Sequence, residues 1–399
     1  NSFSFFLHKT LKEKKQRRLI LHIGTEKTGS TSIQVFLRIN QKRLAEAGVG
    51  VPSGLGDTLH FRLQLLANDK DINDSFIMNL GLHLNKELRG NTLSEWKNEF
   101  YQEVESSEAQ TWIISCETLH SRLLKDSELA RLKKILSPLF ERIDVLVYLR
   151  EPLSMITSRL TENAKSAIPV IIPEPIANQE FDIVDHQATL QRWESAMGPG
   201  KLVVRIFESE SLVRGNVIND FMEACGLKQE NYLIPRNQNL SLSKYGLELT
   251  EEINRHIPRR WIDGTLIKSR WQLMCHIMLQ LRGGPSYTPS PEEIKKYDQF
   301  YEERNEWVRS NYFPEKEKLF KKTWETLLLT NKVEEEAMNL SRTARLIANI
   351  WLIKTAQINQ LEAQVAYLRD CLKTQNPDLN IDDLQKSGPS HCWKDYLER

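Results

Sequence analysis

Three scarcities narrow the reading of this 399-residue chain before any motif is considered. Cysteine is sparse. The five residues Cys116, Cys225, Cys275, Cys371 and Cys392 are scattered, and no CxxC pair or Cys/His cluster points to zinc. Their odd number fits a reducing compartment better than a disulfide framework, with a single disulfide left open. No apolar run is long enough to cross a bilayer. Charge of one sign is not in excess: a net charge of +1 gives no whole-chain reason to bind nucleic acid. With 40% hydrophobic and 27% charged residues, the composition is ordinary for a soluble globular chain, long enough for one large domain or two smaller ones.

What is present is organised around the stretch RLILHIGTEKTGSTSIQVFL, Arg18 to Leu37. Leu19 to Ile23 reads as a short buried strand, and Gly24 to Gly29 as a tight loop. Ser30-Thr31-Ser32 opens a helix whose apolar residues Ile33, Phe36 and Leu37 fall at i, i+3 and i+4. Strand, glycine-bounded loop and helix start together make an anion cradle, because loop N–H groups and the helix dipole both favour negative charge. Lys27 adds a full charge, and the hydroxyls of Thr25, Thr28, Ser30, Thr31 and Ser32 are candidate further donors. A Walker A loop is excluded in detail: that motif places Lys directly after its second Gly and a hydroxyl for magnesium after the Lys, whereas Ser30 follows Gly29 here.

Along the chain, Trp112 to Glu117 reads as a second strand, Asp144 to Leu149 as a third and Lys201 to Glu208 as a fourth. The third is almost uniformly apolar, as a central parallel strand is. Val49 to Pro52 reads as a short extended piece. Glu117 and His120 fall just beyond the second strand, where open α/β sheets bind their ligands. Arg150 ends the third strand, and Ser158 lies eight residues on, in the following helix. His22 alternates with apolar neighbours and reads as a core histidine, with His60 a further weak candidate. Ile168 to Pro175 is apolar and proline-rich and reads as a loop or lid. Leu340, Ala344, Ile347, Trp351, Ile358, Leu361, Val365, Leu368 and Leu372 follow steps of four and three, a heptad seam. It suits either a coiled coil that dimerises through residues 340–372 or a long helix packed on its own domain.

Two of these stretches, in this order, resemble the sulfotransferases that use 3′-phosphoadenosine 5′-phosphosulfate (PAPS). The Gly24–Ser32 loop resembles their 5′-phosphosulfate loop, with Lys27 at the position that touches the bridging oxygen and sulfonate. Arg150, then Pro152, then Ser158 resembles their 3′-phosphate-binding pair. Arg214-Gly215 matches part of a later basic–glycine element, whose fuller Arg-Lys-Gly is absent. Trp307 to Phe320 is similar to the closing segment of bacterial carbohydrate-type members. Ser115 and Glu117 match a Ser-Glu pair at the second strand end, but with Cys116 inserted. Glu26 is a second departure, since a carboxylate beside a phosphosulfate is unfavourable unless it turns away.

The resemblance implies an α/β three-layer sandwich with a central, mostly parallel sheet, to which the heptad seam adds a C-terminal long helix or coiled coil. The expected division is a basic arm (1–17), a sulfotransferase domain (18–322), a helical extension (323–375) and a polar tail (376–399). It implies transfer of a sulfuryl group from PAPS to a hydroxyl of a carbohydrate or glycolipid, leaving adenosine 3′,5′-bisphosphate, with no metal. Lys27 would be catalytic, with Glu117 or His120 as base. Thr25, Lys27, Thr28, Gly29, Ser30, Thr31, Ser32, Arg150, Ser158 and Arg214 would hold the nucleotide. The alternatives are a P-loop kinase-like enzyme and a non-catalytic scaffold. The expected location is cytoplasmic, or membrane-surface associated, or the Golgi lumen if an N-terminal anchor has been trimmed.

Overall fold

Strand β1 (Arg18–His22) lies at the centre of a five-stranded sheet with β2 (Val49–Gly50), β3 (Thr111–Ser115), β4 (Arg142–Leu149) and β5 (Leu202–Ile206). The computed structural model describes residues 16–69, 72, 74–175, 183–228, 232–235, 242–256, 273–277, 279, 281, 287–321 and 332–375. Nearly all of the basic arm, the polar tail and the expected domain end at Lys322 lie outside them.

The strand order is β2-β3-β1-β4-β5 and every pairing is parallel. The chain steps from β3 across β1 to β4, so the connections diverge around β1. A ligand crevice opens at the carboxyl ends of the strands flanking such a switch point. The register brings the ends of β1 and β3 level, His22 being paired with Ser115, while β4, whose Leu146 is paired with His22, runs on to Leu149. Beyond β1 the loop stays tied to β4, with Tyr148 N donating to Gly24 O at 2.7 Å and Thr25 N to Tyr148 O at 3.0 Å.

Alternation along β1 builds two cores. Leu19, Leu21 and Ile23 join one cluster with helices α5 (Lys86–Ser106), α7 (Asp126–Leu136) and α9 (His186–Met197), through Phe100, Leu132 and Trp193. Ile20 faces the other cluster, with α1 (Ser30–Ile39) and α10 (Val217–Cys225), through Phe36 and Phe221. Both faces are therefore covered, and the protein is a three-layer α/β sandwich. Ile33, Phe36 and Leu37 of α1 are fully or almost fully buried. Each such side chain contributes about 1.5–3 kcal/mol relative to exposure. That packing fixes the start of α1 beneath the loop.

Contacts divide the chain into two units, residues 1–259 with 283–330 and residues 260–282 with 331–399. The whole sheet lies in the first. The second carries one long helix, Lys332–Gln375, on which the heptad residues Ile347, Ile358, Leu361, Val365, Leu368 and Leu372 are exposed. Among the described residues, no helix is long and apolar enough to cross a membrane.

Candidate active site

The Gly24–Gly29 loop leaves β1 and enters α1 through two left-handed residues, Lys27 (φ 62°) and Gly29 (φ 79°). The glycine is required twice over. A Cβ there would meet Val217 Cγ1 at 2.9 Å, and φ is already unfavourable for a side chain. Lys27 adopts the same region with a full side chain, a conformation that costs about 1–3 kcal/mol and is retained where function or packing demands it. Gly24 is equally confined, since a Cβ would lie 2.9 Å from Glu117 Cβ. The first loop glycine thus lets the carboxyl ends of β1 and β3 close on each other.

The loop hydroxyls correct one expectation. Thr25 Oγ1 donates to Tyr148 O at 3.1 Å, Thr28 Oγ1 to Thr25 O at 2.6 Å, and Ser30 Oγ to Thr25 O at 3.2 Å. All three side chains are buried. These groups brace the loop from inside instead of presenting donors to a ligand. Among the described residues, the main-chain amides of Glu26, Lys27, Thr28 and Gly29 have no hydrogen-bond partner. Thr31 is exposed and Ser32 half-buried in the first turn of α1.

Helix α8 (Pro152–Lys165) lies along the loop. Met155 Sδ accepts from Thr25 Oγ1 at 3.7 Å, Arg159 Nε pairs with Glu26 Oε2 at 3.7 Å, and Glu162 Oε1 pairs with Lys27 Nζ at 3.1 Å. Residues 155, 159 and 162 form one helical stripe, matched in order to loop residues 25, 26 and 27. Ser158, three residues after Met155, belongs to the same stripe and is half-buried. Glu26 turns to Arg159, which answers the conflict raised by its presence in the loop. Burial lowers the Lys27 pKa, and the Glu162 carboxylate works against that shift.

Arg150 follows directly on β4. Its Nη1 donates to Lys27 O at 2.8 Å, and its guanidinium lies 5.7 Å from the Phe207 ring centroid. Burial opposes its charge and lowers its pKa, with Glu151 pulling weakly the other way. The Glu151 carboxylate is occupied in capping α8, accepting from Leu153 N at 2.9 Å and Ser154 N at 2.6 Å. A partly buried guanidinium bonded to a main-chain oxygen favours an anion beside it.

Glu117 sits two residues beyond β3, at the start of the single-turn helix α6 (Thr118–Arg122). Its side chain makes no cap bond. Gln34 Nε2 of α1 donates to its Oε2. Burial raises the carboxyl pKa, the Gln34 bond acts against this, and the Glu26 charge adds to the rise. His120 departs from its expected place in the crevice. The turn of α6 carries its ring into the core, with no exposure and Nε2 3.3 Å from Thr189 Oγ1 of α9. Burial, then Arg192, His186 and Arg159, press its pKa down to about 3. In this conformation the imidazole has no exposed surface from which to meet a hydroxyl.

His22 is a core residue, as its alternation predicts. Its Nδ1 is 2.8 Å from Ser115 Oγ, and burial lowers its pKa to about 3. His60 Nδ1 accepts from Ser115 N at 3.0 Å, and burial lowers its pKa to about 4. Arg214 is exposed, in the left-handed region (φ 54°), and has no hydrogen-bond or ion-pair partner among the described residues. Asp220 positions its segment, accepting from Val213 N at 3.2 Å while also bonded to Tyr148 and Arg205. Among the described residues, no three His, Cys, Asp or Glu side chains gather as a metal-holding group.

Sequence reading missed Gln34, Arg159, Glu162 and Phe207. The i, i+4, i+7 spacing of Met155, Arg159 and Glu162 was the available signal, but nothing local says which element that stripe faces.

Comparison with known proteins is sparse. No protein-family model matches the chain. An uncharacterized protein from Archaeoglobus fulgidus is 27% identical over 201 residues, 48% of this chain and 51% of that protein. The match therefore spans about half the length of that curated relative. A solved sulfotransferase from Alicyclobacillus acidocaldarius is similar with a TM-score of 0.36 and 13% identity, over 65% of this chain and 96% of that one. A protein of the PezAT toxin–antitoxin system of Streptococcus pneumoniae is similar with a TM-score of 0.26 and 14% identity, over 65% and 88%. Likenesses this remote carry no functional argument, which rests on the site's own residues.

Proposed function

We propose that the chain is a PAPS-dependent sulfotransferase acting on a hydroxyl acceptor. The observation that carries this reading is the meeting of two cation-bearing segments beyond adjacent strands, the Arg150 side chain donating to the main-chain oxygen of Lys27 at 2.8 Å. A donor carrying phosphosulfate at one end and an isolated phosphate at the other needs two separate anion sites. The Gly24–Gly29 loop, with open amides and Lys27, suits the first. Arg150, with Ser158 on the loop-facing stripe of α8, suits the second.

In this reading the acceptor oxygen attacks sulfur, the bond from sulfur to the nucleotide phosphate breaks, and the acceptor proton goes to Glu117. Lys27 and the loop amides stabilise charge on the leaving oxygen. Arg150 holds a remote phosphate and so orients the reacting one. Glu117 suits the base, since burial raises its pKa while the Gln34 amide holds its carboxylate in place. Glu162 holds Lys27 until an anion replaces it.

The test is calorimetric titration with adenosine 3′,5′-bisphosphate beside magnesium-ATP, on the parent and on Arg150→Ala. The expected result is magnesium-independent bisphosphate binding, weakened about 10- to 100-fold by the substitution, in line with about 1.5–3 kcal/mol for a charge-assisted hydrogen bond. A preference for magnesium-ATP, or no bisphosphate binding, would return the chain to the broader nucleotide-binding class.

A further inference from the structure

A cavity of about 370 Å³ lies against α8. Ile156, Arg159, Leu160 and Asn163 of α8 form one wall. The segment 168–175 forms a second, with Ile168 and Ile171. Tyr297 and Tyr301 of α12 (Pro291–Tyr312) form a third. The second wall is built into the fold. Tyr297 Oη donates to Pro173 O at 2.8 Å, Lys296 pairs with Glu174 at 2.9 Å, and Ile168 N donates to Asn163 O at 2.9 Å.

Two features tie the cavity to the chemistry. Arg159 lines it and also pairs with Glu26 of the loop. Glu162, three residues further along α8, holds Lys27. The cavity is thus linked through Arg159 to Glu26, the loop neighbour of the lysine that would meet the sulfonate. Its lining is mostly aliphatic and aromatic. Tyr297 Oη is already committed to Pro173, and Glu174 to Lys296. The other polar lining residues are Arg159, which pairs with Glu26, Asn163, also on α8, and Tyr301.

We propose that this cavity takes the acceptor, and that the acceptor is a hydroxylated amphiphile: an alcohol or sugar carried on an apolar ring or chain. The assignment rests on the sulfotransferase reading and narrows it. A free sugar or a polysaccharide brings many hydroxyls, and each one buried without a partner opposes binding. An apolar ring or chain seats against Ile156, Leu160, Ile171 and the tyrosines, leaving the hydroxyl end at the α8 wall beside Arg159.

The probes are phenyl β-glucoside and methyl β-glucoside, titrated by calorimetry into the full chain, with adenosine 3′,5′-bisphosphate titrated in parallel. The variant is Ile171→Asp, chosen because Ile171 is 66% exposed and its replacement leaves the core intact. The expected result is phenyl glucoside binding at least tenfold tighter than methyl glucoside, with that advantage lost in Ile171→Asp and bisphosphate binding unchanged. In a transfer assay the variant raises KM for the phenyl glucoside and leaves kcat near the parent value. Equal affinity for the two glucosides, or a phenyl advantage that survives Ile171→Asp, overturns the assignment. Ile168→Asp, half-exposed on the same wall, guards against a local effect of one position. Absence of bisphosphate binding in the parent sinks the donor reading instead; the glucoside pair judges the cavity independently.

Discussion

The two ends of β1 and β4 carry similar residues and behave differently. At the amino ends, Arg18 and Arg142 both reach Asp144, at 2.6 and 2.9 Å, and the Asp144 side chain is almost wholly buried. Each charge there has an opposite charge for a partner. At the carboxyl ends, Arg150 leans on a main-chain oxygen, Lys27 on a carboxylate that is half in solvent, and Glu117 on a neutral amide. The first set is closed and accounts for itself as structure. The second is less complete: Lys27 pairs with a half-exposed carboxylate, and Arg150 makes no ion pair among the described residues. Residue type does not separate the two; the completeness of the pairing does.

The sharpest way to break that contrast is to remove charge without removing shape. Glu117→Gln keeps an oxygen for Gln34 to donate to and removes the proposed base. Transfer activity is expected to fall about 10²- to 10⁴-fold. Stability moves the other way. Burial raises the folded-state pKa of Glu117 above its unfolded value, so ionisation is harder in the folded chain. The resulting penalty is absent below the unfolded pKa, grows as pH rises through the folded one, and is complete above it. Thermal unfolding at pH 4 and pH 8 checks this: the variant should gain on the parent as pH rises. A variant less stable than the parent at pH 8 would show that Glu117 is held for the fold, as Asp144 is. In the parent, activity should rise with pH through that same elevated pKa.

Asp144→Asn is the matching change at the closed end. It removes the buried charge that holds Arg18 and is expected to cost about 1–3 kcal/mol of stability, read by urea unfolding. Bisphosphate binding should stay within twofold of the parent. A large loss of binding with little loss of stability would erase the distinction between the two ends.

The sheet was legible in the sequence because its central strands are continuous apolar runs and its loop is bounded by glycines. Residues 19–23 and 144–149 each needed only their own composition to be placed. Arg150 was legible because it directly follows such a strand, and Lys27 because it lies in the glycine-bounded loop beyond β1. The inward turn of the Thr25, Thr28 and Ser30 hydroxyls was not, since a sequence records a donor but not its direction. His120 misled for a related reason: three residues beyond a strand end is close in sequence, yet one turn of α6 is enough to bury the ring. The match of residues 155, 159 and 162 to residues 25, 26 and 27 is a contact between distant segments, and only the packing of α8 reveals it.

The smallest expected effect concerns Arg214. Its guanidinium is exposed, its backbone is left-handed, and it bonds to nothing among the described residues, unlike Arg150. The resemblance that brought both to attention would give them comparable roles. The structure supports a graded pair: Arg150 partly buried and anchored to the loop, Arg214 free on a turn whose position is set by Asp220 through Val213. An exposed cation contributes about 0–1 kcal/mol to a charge interaction, and salt weakens it further. Arg214→Ala should therefore weaken the bisphosphate by about fivefold or less at low salt, and by less still at 0.5 M salt. The Arg150→Ala effect should persist at both. If Arg214→Ala matched Arg150→Ala at high salt, the turn would have to close over the nucleotide on binding, and the carboxyl end of the sheet would be completed by two arginines instead of one.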